Sequence, residues 1–368
     1  MTPQRTEESH HQGTKTPRPT ADGSQLSAVS RQPLAVSRQP SASFLTLGIE
    51  TSCDETAASV LADSRDVLSS VVASQIVHSE YGGVVPELAA RAHVQAILPV
   101  VRAALDIAHQ SPERLNLIAA TYAPGLLGAL LVGLPFAKAL AWSRGLPFVG
   151  VNHLEAHIFA VFLQHPDIPL PFVCLVVSGG HTELVLVQER GSYRTLGATL
   201  DDACGEAFDK AAKMLGLPYP GGALIEEHAR LGAHTIKFPV PQVPGLDFSF
   251  SGLKTALLYY LRDHPHYQLN DICHSFQETL IDFLMAKVVR AVDDTAIPRI
   301  AISGGVASNS RLRERLQALT AKQTLEVFFP DRALCTDNAA MVAACGYARF
   351  QRFGPSPMSL AAKSREAL

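Results

Sequence analysis

The sequence predicts an α/β protein that presents glycine-rich turns to a phosphate-bearing ligand. From Phe44 onward, apolar segments of strand length alternate with segments of helical periodicity. Two segments, 45–61 and 174–187, repeat one pattern: an apolar strand, a turn of small polar residues and a second apolar strand. A third turn of small residues, 303–309, contains two glycines and links an apolar strand to a helix. Because such turns expose backbone N–H groups, three of them favour a nucleotide or phosphate ligand.

The length and composition fit a globular protein of two domains. The chain has 368 residues, 47% of them hydrophobic. Its formal net charge is −3, so any nucleic-acid contact must come from a local patch or from a partner. The glycine turns match neither the P-loop pattern nor the dinucleotide-binding pattern. Cysteines occur without a C-x-x-C pair and mostly in apolar runs, which predicts buried free thiols in a reducing cytosol.

Residues 1–43 differ in composition from the rest of the chain. They are rich in Ser, Thr, Gln and Pro, and the string AVSRQP occurs at 28–33 and again at 35–40. This composition predicts a disordered low-complexity tail. A transit peptide is the alternative, but three acidic residues within the tail argue against it.

Two apolar segments follow the first hairpin. Residues 86–109 have apolar side chains at helical spacing, with Pro86 in the predicted first turn. The next run, 117–137, is long enough to span a bilayer, but it contains two prolines and three glycines. We interpret it as a buried strand and a turn, followed by a helix that packs closely through small residues. No membrane span is expected.

The segment NHLEAHIFA carries two histidines after Asn152, a residue type that favours a helix N-cap. At spacing i, i+4, His153 and His157 lie on one helix face and can reach one ion. Glu155 is rotated about 200° from His153, so it cannot serve as the general base of an H-E-x-x-H zinc protease. Without a third ligand, a metal site and a plain polar helix face fit this spacing equally well. Asp337 is the candidate third ligand, because two histidines and one carboxylate form a metal site with open positions.

Nine motifs occur in order along 44–350, and together they resemble the tRNA N6-adenosine threonylcarbamoyltransferase family, the TsaD-type proteins once called glycoproteases. Two of the motifs, LGLPYPGG and FSFSGLKTA, are similar to the bacterial members. In chain order the matching strings are GIETSCDETAASV, GGVVPELAARAH, NHLEAH, LVVSGGHTEL, DDACGEAFDKAAKMLGLPYPGG, FSFSGLKTA, SFQETL, ISGGVASNSRLR and CTDNAAMVA.

The resemblance implies an actin/Hsp70/sugar-kinase-like fold, in which two related α/β domains surround a nucleotide cleft and each contributes one hairpin to the phosphates. The N-terminal domain is expected at 44–168 and the C-terminal domain at 169–337. A helix at about 338–350 is expected to pack back on the first domain, and 351–368 to form a C-terminal tail.

The resemblance also implies an activity. A threonylcarbamoyl group would pass from threonylcarbamoyl-AMP to N6 of adenosine 37 in tRNAs that read codons beginning with A, with release of AMP. His153, His157 and Asp337 would hold one divalent metal ion per subunit, Fe²⁺ or, as the alternative, Zn²⁺, which anchors the donor. The acceptor amine is a weak nucleophile, so catalysis is expected mainly from positioning and charge stabilisation.

The same resemblance assigns the substrate-binding positions. Asp54 and Glu55, on the first hairpin turn, are the hypothetical catalytic groups that approach the reacting carbonyl or phosphate and assist proton removal from N6. The positions expected to bind the donor or its nucleoside are Val176, Val177, Ser178, Gly179, Gly180, Asp209, Gly222, Glu226 and Asn309.

Surface contacts are less closely defined by the sequence. Lys254 and the arginines at 311, 313 and 315 are candidates for contact with tRNA. Arg91 and His93 fit either a solvated helix face or a contact with tRNA or a partner. Glu155 is expected to play a structural role, bonded to neighbouring groups.

The resemblance implies two protein partners in the cytoplasm: a small paralogous TsaB-type subunit, docking on the helix at 125–142, and a TsaE-type ATPase. Two other functions remain open on the residues alone. One is a nucleotide-binding scaffold without catalysis, and the other is a carbohydrate or carboxylate kinase of the same fold. Neither needs a His-His-Asp metal site.

Overall fold

The computed structural model describes residues 26–28, 43–322 and 325–368. The predicted low-complexity tail therefore lies outside the described residues, apart from a three-residue strand and position 43. The strands of the first domain are β1 Leu26–Ala28, β2 Leu45–Glu50, β3 Glu55–Ala62, β4 Asp66–Ser74, β5 Leu117–Ala123 and β6 Phe148–Asn152. Its helices are α1 Pro86–Ile107 and α2 Leu127–Arg144, and α3 His153–Gln164 leads from it to the second domain.

The strands of the second domain are β7 Phe172–Val177, β8 Thr182–Glu189, β9 Ser192–Ala198, β10 Arg299–Ser303 and β11 Glu326–Phe328. Its helices are α4 Cys204–Met214, α5 Gly221–Ala229, α6 Ser251–Asp263, α7 Leu269–Thr295 and α8 Ser310–Lys322, followed by the last helix, α9 Ala339–Phe353.

The two sheets share one topology. The first runs β1-β4-β3-β2-β5-β6 and the second β11-β10-β7-β8-β9. Apart from the added β1, each has a central strand that pairs antiparallel with the next strand of a three-strand meander and parallel with a later strand. The predicted duplication of a hairpin thus extends to the whole sheet. All residues of the two central strands, β2 and β7, are buried, as expected for strands covered on both faces.

Helices α3 and α9 lie between the two sheets. They share a hydrophobic core with inward side chains of both sheets, including Leu117 of β5 and Cys174 of β7. Separate cores lie under α1 and α2 on the outer face of the first sheet and under α4 to α7 on the outer face of the second. Gly48 allows α9 to approach β2, because a Cβ there would lie 2.2 Å from the Ala339 carbonyl oxygen.

The run at 117–137 forms strand β5, a turn and the start of α2, as predicted. Among the described residues, one helix, α1, has the length and composition to cross a membrane. It packs against β3, β4 and α2 along its inner face. Core helices of soluble proteins share that composition, so it is weak evidence for a span.

The segment after α9 runs along the first domain. Lys363 N donates to Tyr122 O at 2.9 Å, and Gly125 N donates to Ser364 O at 3.3 Å. The side-chain amide of Asn152 donates to Ala367 O at 3.4 Å. The last residues therefore end beside the start of α3.

Candidate metal centre and nucleotide cleft

Helix α3 begins at the metal candidates because Asn152 caps it. Its Oδ1 accepts from Leu154 N at 2.9 Å and from Glu155 N at 3.4 Å, which satisfies two N–H groups of the first turn. This cap places His153 and His157 on the first two turns of the helix, where both side chains are buried.

The structure brings His153, His157 and Asp337 together. Their candidate ligand atoms all lie within 4.8 Å of one another. His157 Nε2 is 3.1 Å from Asp337 Oδ1, and His153 Nε2 is 3.6 Å from the same oxygen. Asn338 caps α9 by accepting from Met341 N at 3.0 Å, which holds Asp337 at the start of that helix.

These residues fit a divalent metal ion. Neither ring nitrogen of the buried His157 makes a hydrogen bond of good geometry. A buried polar atom without a partner is unfavourable, and coordination at Nε2 would remove that penalty there. Imidazole nitrogen with carboxylate oxygen suits Fe²⁺ and Zn²⁺, and three protein ligands leave positions for a substrate.

Glu50, at the end of β2, is a site residue that the sequence analysis missed. Its Oε2 lies 3.1 Å from His153 Nδ1 and accepts from Thr121 Oγ1 at 2.6 Å, while its Oε1 accepts from Ser52 N at 2.6 Å. Burial alone would raise the pKa of Glu50, but His153 and Thr121 lower it below the ordinary value. A carboxylate at Nδ1 fixes the ring so that Nε2 faces the metal position. The sequence did offer one signal for this role, because Glu50 is a charged residue at the end of an apolar strand.

His93 supports the first hairpin turn from beneath. It is fully buried; its Nε2 lies 2.9 Å from Cys53 O, and its Nδ1 lies 2.8 Å from Thr56 Oγ1. Both sequence interpretations of His93, a solvated face and an intermolecular contact, are therefore wrong. Arg91 is exposed and pairs with Glu87 on the same helix.

Asp54 and Glu55 lie on this turn, between the metal centre and the second domain. Asp54 Oδ2 is 3.5 Å from the hydroxyl of Tyr219, which precedes α5. Burial, together with the nearby charges of Asp54 and Asp337, raises the pKa of Glu55 well above its ordinary value. The turn therefore carries a pair of carboxyl groups, one of them in an environment that favours its protonated form.

The second hairpin turn is held in a fixed shape. Ser178 N donates to His181 O at 2.8 Å, and His181 N donates to Ser178 Oγ at 3.1 Å. Gly179 and Gly180 are exposed at its tip. The rings of His181 and His153 have centroids 6.0 Å apart, so this turn of the second domain lies beside the metal centre.

Val176 and Val177 were expected at the ligand, but both side chains are fully buried. Val176 belongs to the core between the sheets and Val177 to the core under α7. Gly304, at φ +93°, lets the third glycine turn pack on this strand, because a Cβ there would lie 2.2 Å from Val177 O. The side chains of these valines therefore do not face the cleft, and their assignment to donor binding stays a prediction.

The nucleoside candidates form a continuous set of contacts from α4 to α8. Asp209 Oδ1 accepts from Gly221 N at 2.7 Å, next to Gly222 at the start of α5. Glu226, on α5, accepts from Ser310 N at 3.1 Å. Asn309 accepts from Leu312 N at 3.0 Å and donates to Gln277 Oε1 at 2.8 Å. Asp209, Glu226 and Asn309 thus orient the first turns of α5 and α8.

Known proteins match most of this chain. A model of the family TsaD, tRNA N6-adenosine threonylcarbamoyltransferase, matches residues 66–344. The tRNA N6-adenosine threonylcarbamoyltransferase of Pelobacter propionicus is 52% identical over 325 residues, covering 86% of this chain and 95% of that relative. The chain belongs to this family. The resemblance carried by the nine motifs is confirmed, and with it the assignment to a family of transferases.

The fold of this TsaD-family protein is shared with two solved structures. HypF of T. kodakarensis has a TM-score of 0.58 at 16% identity, covering 84% of this chain and 48% of that one. Component A of the Acidaminococcus fermentans (R)-2-hydroxyglutaryl-CoA dehydratase has a TM-score of 0.54 at 14% identity, and the match covers 83% of this chain and 98% of that one. At such identities the likeness concerns the fold alone. With the repeated sheet topology, it confirms the predicted actin/Hsp70/sugar-kinase-like fold of two related domains.

The basic residues expected to contact tRNA already form ion pairs or hydrogen bonds with other residues of this TsaD-family chain. Arg311 and Arg315 both pair with the buried Glu278, at 2.6 and 3.1 Å. Arg313 donates to Ala307 O at 2.6 Å and to Pro330 O at 2.8 Å. Lys254 pairs with Asp202, which also binds Lys210. A phosphate would have to compete with these partners, and the contact of these side chains with tRNA stays a prediction.

Glu155 faces away from the metal position, as predicted. It is bonded instead to Tyr193 of the second sheet and to Arg349 of α9. It cannot activate a water on the metal, and the arrangement of a zinc protease is therefore absent from the described His-Glu-His segment.

Proposed function

We propose that this chain transfers the threonylcarbamoyl group of threonylcarbamoyl-AMP to N6 of adenosine 37 in tRNAs that read codons beginning with A, with release of AMP. The observation that carries the proposal is the position of the His-His-Asp centre beside the tip of the second hairpin turn, within a chain of this family. A scaffold or a kinase of this fold would have no use for such a centre.

The metal ligands of the proposed reaction are His153, His157 and Asp337. When bound, Fe²⁺, or Zn²⁺ as the alternative, would supply a Lewis acid and a template for the threonyl part of the donor. Glu50 holds the His153 ring in place, and the cap formed by Asn338 holds Asp337. The protein thereby fixes three ligands before the donor arrives.

Ser178, Gly179 and Gly180 are assigned to the reacting end of the donor. Their turn is rigid, and its glycines are exposed where backbone N–H groups are able to meet an anion. Donors that are already oriented stabilise charge on a carbonyl or a departing phosphate without reorganising during the reaction. Asp54 and Glu55, on the opposing turn, are assigned to the side from which N6 approaches.

The AMP portion is assigned to the second domain. Asp209 and Glu226 offer carboxylate oxygens for ribose hydroxyl groups, and Gly222 leaves room for a close approach. Asn309 gives one amide hydrogen to Gln277 and keeps a second for the adenine ring.

The transfer is tested directly with the purified chain, threonylcarbamoyl-AMP, unmodified tRNA, Fe²⁺ or Zn²⁺ and the partner proteins. Mass spectrometry of the digested nucleosides should show threonylcarbamoyl-adenosine, formed in proportion to the AMP released. The matched control is the same tRNA with guanosine at position 37, which should give no product. Failure to form the nucleoside with both metals and a full set of partners would contradict the proposal.

We further propose that a TsaB-type subunit docks on α1 and α2 and that a TsaE-type ATPase joins the assembly. Val94 and Leu98 on α1, with Leu127 and Leu131 on α2, are exposed apolar side chains. The two helices pack against one another, and on each of them the two exposed residues are four positions apart, on one helix face. Exposed apolar surface of this kind is typical of a protein interface. All six cysteines are free, which is compatible with a reducing cytoplasm.

Changing Leu131 to glutamate should weaken docking of the small subunit by about tenfold or more, since it buries a charge in an apolar interface. Trp142, the single tryptophan of the chain, lies on α2 with 78% of its surface exposed. Its fluorescence should therefore shift to shorter wavelength on docking and serve as the titration signal. Leu258→Glu on α6 is the matched control, because Leu258 is 51% exposed and Leu131 is 54% exposed. Equal affinity of both variants would place the interface elsewhere.

A further inference from the structure

Glu155 is a buried carboxylate to which the proposed reaction gives no role. Its Oε1 accepts from the Tyr193 hydroxyl at 3.0 Å, and its Oε2 accepts from Arg349 Nη1 at 2.7 Å. The Glu155 side chain is 2% exposed and that of Arg349 is 32% exposed. The Glu155 carboxylate therefore depends on its arginine partner, because removing Arg349 would leave a buried charge uncompensated.

The partners of Glu155 belong to the elements that must be aligned at the metal centre. Glu155 lies on α3 between the two histidine ligands, and Arg349 lies on α9, which begins two residues after Asp337. Tyr193 belongs to β9 of the second sheet. The ion pair therefore joins α3, which carries two ligands, to α9, which follows the third ligand. The hydrogen bond from the Tyr193 hydroxyl also links α3 to the sheet of the second domain.

We infer that Glu155 is a positioning residue: its pair with Arg349 sets the placement of α3 against α9 and thereby the spacing of the histidine ligands from Asp337. The inference rests on the proposed metal centre. A helix moves as a rigid body over one turn, so a shift at Glu155 also moves His153 and His157. Metal–ligand distances lie within about 0.2 Å of their standard values, so we expect the centre to be sensitive to the packing of these two helices.

A cavity behind the pair makes the inference testable by chemical rescue. It measures about 510 Å³, is open to solvent and is lined by both Glu155 and Arg349 but by none of the three metal ligands. Apolar side chains form part of its wall, including Phe159 and Phe162. If Glu155 is shortened to alanine, a small carboxylate such as formate has room to reach the Arg349 guanidinium and to replace the lost charge.

The test measures Co²⁺ binding to the full chain, followed by the visible absorption of the bound ion. Glu155→Ala should bind Co²⁺ about tenfold more weakly or worse, a size known for groups that orient metal ligands. Formate should restore part of that affinity. Arg352→Met is the matched control on α9, because Arg352 pairs with Glu189 of the second domain and not with α3. It should bind Co²⁺ within about twofold of the unmodified chain.

Each result decides a different point. If the unmodified chain binds no Co²⁺, the proposed metal centre fails and this inference fails with it. If the unmodified chain binds but Glu155→Ala binds equally well, only the inference is overturned. Should Glu155→Ala not fold by circular dichroism, the double variant Glu155→Met/Arg349→Met removes both charges and keeps the volume filled. Weak Co²⁺ binding by that folded double variant supports the inference, and unchanged binding overturns it.

Discussion

Replacing His157 with alanine should remove the bound metal and lower kcat/KM for threonylcarbamoyl transfer by about a thousandfold or more. The change leaves one histidine and one carboxylate, and a metal contributes several kcal/mol of transition-state stabilisation, with about 1.4 kcal/mol for each factor of ten. The fold should persist, because neither ring nitrogen has a hydrogen bond of good geometry and the 3.1 Å contact of Nε2 with Asp337 belongs to the metal site itself. Metal content after dialysis and the rate of nucleoside formation are the two measurements.

The control for this prediction is His165→Ala. His165 follows the same helix α3, and its ring nitrogen lies 2.8 Å from Phe329 O, remote from the ligands. This variant should keep its metal and its rate while losing about 1 kcal/mol of stability for one hydrogen bond. A His157→Ala enzyme that lacks metal yet transfers at the rate of the unmodified chain would show that the reaction proceeds without the centre.

The fold was largely predictable because its signals are local. Apolar runs and turns of small polar residues marked both hairpins, and the two prolines and three glycines in 117–137 pointed to strand, turn and helix. The course of the last residues had no such signal. Their bonds to the first domain join backbone groups of Lys363, Tyr122, Gly125 and Ser364. The side chains that also take part, such as Asn152 and Tyr122, bond to residues more than 200 positions away, so no local pattern indicates the pairing.

Site residues were predictable where spacing or motif carried them, and not where a distant partner decided. The sequence shows that an arginine is charged, but it does not show which carboxylate pairs with it. Glu278 lies more than 30 positions before Arg311 and Arg315. The case of His93 is different. Ala89 and Ile97, four positions to either side, are buried on the same face of α1, so helical periodicity was a signal for the burial of His93 that the sequence analysis did not use.

The sequence did not indicate Glu50 for a related reason: its three partners come from its own turn, from β5 and from α3.

Changing Glu50 to glutamine should weaken metal binding by about 10- to 100-fold, the range known for groups that orient a metal-bound histidine. Ser52 N–H and the Thr121 hydroxyl both donate to the carboxylate, and the His153 ring meets it through Nδ1. The amide of glutamine replaces one acceptor oxygen with a donor, so at least one of these contacts becomes donor against donor.

Chelator competition measures the metal affinity of Glu50→Gln, and thermal unfolding measures its stability, which should fall by about 1–3 kcal/mol for one buried group left unpaired. Thr121→Val is the control, because it removes one hydrogen bond and keeps the charge beside His153. Its metal affinity should fall much less than that of Glu50→Gln. If Glu50→Gln is destabilised but holds the metal as tightly as the unmodified chain, Glu50 supports the fold of the turn and not the orientation of His153. That outcome would leave Ser52, whose hydroxyl is also 3.1 Å from His153 Nδ1, as the group that orients the ring.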